Sequence, residues 1–207
     1  MSTYEQGYAE AFHLIEEILA LPSELAKKGV VLDKCPDKFG SIEKVRSLLL
    51  PLFTMTMAHK EFLYFRASLM NYLHLHANCK GGEHVANFAF AHYLAMGAED
   101  YADKFATLFQ SQAFHTDSAY ILKTITQDFS SFFIEDRWKR VSKRINLLKE
   151  AGVNLNFPIP TLYGSEQHLT DILSEYEPDS ESDDARYRKA LSLFEKSGLR
   201  IQKALDN

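Results

Sequence analysis

The sequence predicts an all-α fold of stacked antiparallel helix pairs, solenoid-like or an irregular helical bundle. Three observations predict it. Apolar residues recur at i, i+3/i+4 spacing along the whole chain, the period of amphipathic helices. No run of period-two alternation is long enough to mark a strand. A helix stop also recurs, as Glu24–Asp33, Asn146–Asn156 and Leu193–Gln202. Each copy has Lys near the last helical turn, where a cation meets the negative helix end. Each has Gly just beyond it, where a left-handed backbone carries little steric cost. Each then has apolar residues one and three places after the Gly.

The elements follow in order. Tyr4, Tyr8, Ala11, Phe12, Ile15, Ile18 and Leu19 share a face, so residues 3–20 form a first helix that Pro22 and Ser23 stop. Ser23 can cap a short helix ending at Gly29. Pro36, Asp37 and Gly40 place a loop at 33–40. Ser41 caps a helix through Val45, Leu48 and Leu49, which Pro51 should kink or break. Phe62, Phe65, Leu69, Tyr72, Leu73 and His76 form the face of the next helix, and Asn78 to Gly82 a break. Val85, Phe88, Ala89, His92, Tyr93 and Met96 make a buried stripe ended by Gly97. Tyr101, Phe105, Leu108 and Phe109 make another.

After Asp117, Tyr120, Ile121, Ile125, Phe129 and Phe132 form a helix. Asp136 can cap the following one, with Trp138, Val141, Ile145 and Leu148 inward. Residues 153–164 hold two prolines and Gly164 and are not helical throughout. Leu169, Ile172 and Leu173 mark a short helix. Six of the ten residues from Glu175 to Asp184 are acidic, and this segment reads as a mobile loop. A last helix at 184–197 turns Tyr187, Ala190, Leu191 and Phe194 inward.

The 207 residues read as a single helical domain, 1–207, with sub-parts at 1–115 and 116–207. With 46% hydrophobic and 25% charged residues, the composition is that of an ordinary soluble globular chain. A net charge of -5 argues against general affinity for nucleic acid or anionic membrane. Two cysteines are too few for a disulfide scaffold and point to a reducing compartment. No apolar run has the roughly 20 residues of a membrane span. The N-terminal residues lack the basic-then-apolar order of a signal peptide. The expected location is therefore the cytoplasm, or another cell's cytosol after delivery.

The run Leu147-Leu148-Lys149-Glu150-Ala151-Gly152-Val153-Asn154-Leu155-Asn156 resembles the second helix and exit of an ankyrin repeat. Gly164 to Leu169 loosely occupies the place of that family's Gly-x-Thr-Pro-Leu-His element but lacks Thr-Pro. Gly152 and Gly198 are 46 residues apart, against about 33 for an ankyrin repeat. An insertion the size of the acidic segment accounts for the difference. The resemblance implies two divergent ankyrin-like units over 117–203 and a role in protein binding. It supplies no catalytic residues.

Three clusters carry candidate chemistry. His74-x-His76-x2-Cys79-x4-His84 has the residue types of a zinc site. On one helix, however, His74 and His76 point about 200° apart and cannot share a metal through it. Arg66 and His74 are two turns apart and faintly resemble the Arg-x4-6-His motif of helical ribonucleases of the HEPN family, but seven residues intervene. On the third, Arg137, Arg140 and Arg144 form a basic stripe beside Lys139 and Lys143. This face suits an RNA backbone or an acidic protein partner, or it is a solvated surface balanced by residues 175–184. The binding residues expected here are Arg137, Arg140, Lys143 and Arg144, with no metal ligand and no cofactor.

Phosphate-binding glycine loops, nucleophile elbows, His-Glu-x-x-His and Cys-x-x-Cys are absent from the sequence. The expected function is non-enzymatic protein–protein recognition, as an adaptor, inhibitor or effector, with another protein as partner. The alternative is a helical enzyme, nuclease or metal-dependent, with its site in 59–92.

Overall fold

The computed structural model describes residues 3–20, 32–58, 63–127, 135–161, 164–175 and 181–200. Among them are nine α-helices: α1 Thr3–Ala20, α2 Ile42–Ala58, α3 Leu63–Ala77, α4 Glu83–Ala95, α5 Glu99–Ser111, α6 Ser118–Thr126, α7 Glu135–Glu150, α8 Leu169–Ser174 and α9 Glu181–Lys196. A 3-10 turn, Asp37–Phe39, precedes α2. Two short strands, β1 Ile159–Pro160 and β2 Glu166–Gln167, lie between α7 and α8. The protein is mostly helical, with helices in antiparallel contact. No helix among the described residues is long and apolar enough to cross a membrane.

The chain divides into two compact units. The first comprises residues 1–89 with 112–114, the second 90–111 with 115–207, so the division falls inside α4.

In the first unit, α1, α2 and α3 pack on one another, and the 3-10 turn packs on α2. Their buried residues include Ala11, Leu14 and Ile18 of α1, Val45, Leu49, Leu52 and Phe53 of α2, and Leu69, Tyr72 and Leu73 of α3. The α1 stripe is rotated from expectation: Leu14 is buried and Phe12 is exposed. Ser41 caps α2 as expected, its Oγ accepting from the Lys44 N–H at 3.3 Å. Pro51 does not end α2, which continues to Ala58. Proline removes one intrahelical donor, and burial of Leu49, Leu52 and Phe53 on both sides of it holds the helix together. Leu21–Val31, which carry the first glycine stop, lie outside the described residues.

In the second unit α7 is the central element, packing against α5 and α9, while α6 packs on β1. Asp117 caps α6, its Oδ1 accepting from the Tyr120 N–H at 2.9 Å. Asp136 does not cap α7, because the helix already includes Glu135. The first-turn side chains of α7, Arg137 and Trp138 among them, lie outside the description, as do Phe129 and Phe132. Met96, expected in the α4 stripe, is exposed beyond the helix end.

The two glycine stops among the described residues are Schellman caps. At the end of α7 the Val153 N–H bonds Leu148 O at 2.9 Å and the Gly152 N–H bonds Lys149 O at 3.0 Å. After α9 the same pair joins Leu199 to Phe194 and Gly198 to Glu195. Gly152 and Gly198 take φ of +73° and +101°. A third copy closes α4, from Ala98 to Tyr93 and from Gly97 to Leu94.

Two expectations for the C-terminal part are corrected. Ile159 and Pro160 pair antiparallel with Gln167 and Glu166, and strands of two residues are too short to show alternation. The acidic segment is not wholly a loop, because Glu181 to Asp184 form the first turn of α9. Carboxylates there meet the positive end of the helix dipole, and Asp184 also pairs with Arg188 at 2.8 Å. Residues 176–180 lie outside the described set.

Candidate functional site

Among the described residues of the second unit, a cluster of ion pairs joins the start of α5 to the middle of α7. Glu99 and Asp100 open α5; Arg140, Lys143 and Arg144 come from α7, on successive turns of one side. Glu99 Oε1 accepts from Arg144 Nε at 2.5 Å, and Arg140 Nη1 lies 3.5 Å from Glu99 Oε2. Arg140 Nη1 also donates to the carbonyl of Gly97 at 3.3 Å. Lys143 Nζ pairs with Asp100 Oδ1 at 2.6 Å.

The four sequence-predicted residues thus have different fates. Arg140 and Lys143 face solvent, as expected. Arg144 does not: its side chain is 0% exposed, and that of Glu99 is 5% exposed. The outward placement of Arg144 is therefore corrected. Part of the reason lies in α7 and part in Glu99, which the side chain meets. Leu147 and Ala151 are buried as well as Val141, Ile145 and Leu148. At about 100° per residue, position 144 falls between these two sets, on the edge of the buried face. The side chain of Arg137 lies outside the described residues. Among the described residues, the carboxylates paired with this face are Glu99 and Asp100 of α5; residues 176–180 of the acidic segment lie outside the described set.

Gly97 makes the geometry work. Its φ is +73°, and a Cβ built there would sit 2.8 Å from Arg144 Nη2. Only glycine both takes the left-handed turn and leaves room for the guanidinium. The arrangement leaves an open cleft of about 380 Å³ lined by Gly97, Ala98, Tyr101, Arg140, Lys143 and the two acidic residues. The Lys143 ammonium bonds Asp100 and holds its carboxyl below the usual range. Asp100 in turn holds Lys143 above its usual range. Both groups stay charged across neutral pH, which suits recognition of charge rather than proton transfer.

The described candidates of residues 59–92 are engaged in separate places. His59 lies outside the described residues. Arg66 donates from Nε to Thr56 O at 3.0 Å and from Nη2 to Met57 O at 2.7 Å, closing the C-terminal end of α2. His74 and His76 are both on α3, as the opposed-direction argument requires. His76 is buried between Phe39 and Tyr72, with ring centroids 5.3 Å and 4.3 Å away. Burial, helped by the Lys38 charge and opposed by Glu17, depresses His76 to about 4. His92 Nε2 lies 2.9 Å from the Tyr120 hydroxyl. No three His, Cys, Asp or Glu side chains among the described residues are grouped to hold a metal ion.

Sequence reasoning missed Glu99 and Asp100. Their signal was present: two acidic residues open a helix two places after a glycine stop. Their pairing with residues more than 40 positions away was not local information. Comparisons with protein-family models, with curated proteins and with solved structures find no match.

Proposed function

We propose that this chain is a non-enzymatic protein-recognition module acting in the cytosol of its own or a recipient cell. Its partner site is the cleft beside Gly97. The observation that carries this reading is the Lys143–Asp100 pair, whose side chains are 49% and 91% exposed. An exposed ion pair adds little to stability, so a carboxylate from a partner can replace Asp100 at little cost. Arg140 is exposed beside it, with one guanidinium nitrogen making both of its bonds to Gly97 and Glu99. Exposed Met96 adjoins Gly97 in the chain, and Tyr101 and Ala98 add apolar lining. The occupant that fits is a short acidic peptide segment of another protein, carrying one apolar side chain.

We further propose that α6 to α9 are two ankyrin-like units. The order helix, helix, hairpin, helix, helix supports this. So does Asn156, which links the two segments that follow the glycine stops. Its Nδ2 donates to Gly198 O at 2.9 Å and its Oδ1 accepts from the Arg200 N–H at 2.8 Å. Equivalent exits lying side by side would need such a link. The alternative, an enzyme with its site in 59–92, has less support, because Arg66 is committed to backbone carbonyls and His76 to the interior.

Binding of labelled peptides with graded acidic content tests the reading. Acidic peptides should bind more weakly as salt rises, and Arg140→Ala with Lys143→Ala should weaken them at least about tenfold. Equal binding to that double variant, with helical circular dichroism unchanged, would sink the assignment. So would a failure of every acidic peptide to bind the unaltered protein.

A further inference from the structure

Two free cysteines come together in the interior of the first unit, 44 positions apart in the chain. Cys35 is 6% exposed and Cys79 is 1% exposed. The Cys35 N–H donates to the carbonyl of Lys80 at 2.9 Å, so the Cys35 loop runs against the α3–α4 turn one residue from Cys79. The turn is tight. A Cβ on Gly82 would lie 2.4 Å from the carbonyl oxygens of His76 and Ala77, and one on Gly81 would touch Cys35 Cβ at 4.0 Å. The Cys79 thiol donates to His76 O at 2.7 Å.

The thiols also interact with each other. Burial pushes the Cys35 thiol up to about 12, and its hydrogen bond to Cys79 adds to the rise. Burial raises Cys79 as well, while the same hydrogen bond acts to lower it. The two thiols are thus near enough in the interior to influence each other's titration. Disulfide formation requires close backbones, and the Cys35 N–H bond to Lys80 O, one residue from Cys79, supplies them.

We infer that Cys35 and Cys79 form a reversible disulfide-modification site, closed by a small-molecule disulfide of the glutathione class. Cys35, the less buried of the two residues, loses its proton to solvent and attacks the reagent. One S–S bond breaks, a mixed disulfide forms, and one small thiolate leaves. Cys79 then loses its proton and attacks the Cys35 sulfur, forming the Cys35–Cys79 bond and expelling the second small thiolate. Two protein thiols are oxidised, and one small disulfide is reduced to two thiols. The first step is slow, because the thiolate is the nucleophile and burial keeps it scarce.

The experiment incubates the full-length protein with oxidised glutathione, traps free thiols with an alkylating reagent and reads the intact mass. The expected product is a monomer lighter by two hydrogens, carrying no label, that yields one cross-linked peptide holding both cysteines. Its Tm should rise by roughly 5–10 °C, since closing a loop of this length constrains the unfolded chain, and dithiothreitol should reverse the rise. Cys35→Ala and Cys79→Ala should each abolish the product. The mass of the unaltered protein decides the matter even if a variant fails to fold. A persistent glutathione adduct, a disulfide-linked dimer, or thiols that react only after unfolding in urea would each overturn the inference.

Discussion

Glu99→Gln isolates the buried ion pair at the base of the cleft. The substitution keeps the side-chain shape and an acceptor for Arg144 Nε but removes the charge opposite a guanidinium that is 0% exposed. Breaking a buried pair by removing one partner costs about 3–5 kcal/mol, because the remaining charge has left water without compensation. Glutamine retains a hydrogen bond, so the lower end, about 3 kcal/mol, is expected. Loss of a carboxylate in the first turn of α5 removes roughly 0.5 kcal/mol more of helix-dipole stabilisation. For a chain of this length about 2–4 °C of Tm accompany each kcal/mol, so Tm should fall by roughly 7–14 °C. Thermal unfolding followed by circular dichroism measures this, and a double-mutant cycle sharpens it. Arg144→Met alone should also destabilise, whereas Glu99→Leu with Arg144→Met should restore most of the loss, because an apolar replacement of a buried pair is often neutral. A fall below about 2 °C for Glu99→Gln, or strictly additive effects in the cycle, would refute the claim that the two charges depend on each other.

Two further outcomes are expected. His76 is held near 4 in the folded chain, below its ordinary value of about 6.5. The unfolded state therefore binds more protons between those values, and stability should fall as pH drops from about 6.5 toward 4, by up to roughly 3 kcal/mol. Urea titrations at several pH values measure this, and His76→Phe should flatten that part of the profile; an unchanged slope would mean that His76 does not drive it. Asn156→Ala removes both hydrogen bonds to residues 198–200. It should cost about 1–2 kcal/mol and increase amide exchange at Arg200; protection unchanged at Arg200 would show that the two exits are not coupled through this side chain.

What the sequence determined by itself was local. Helical periodicity located most of the helices, and Gly152 and Gly198 end theirs through the left-handed caps expected from Lys, Gly and the following apolar residues. Ser41 could be read as a cap for the same reason, since capping joins groups within one turn. The recurrence of the glycine stop was likewise legible, and a shared Schellman cap accounts for it at both described sites. Tertiary structure decided which way the charged side chains of α7 point. Arg144 looked like one member of an outward basic stripe, yet it lies inside. There Glu99, 45 residues away, supplies an opposite charge and Gly97 leaves space for the guanidinium. The same limit hid the meeting of Cys35 with Cys79 and the closure of α2 by Arg66. In each case the deciding partner comes from another element, and periodicity, which reports only whether a position faces the core, carries no information about what waits there.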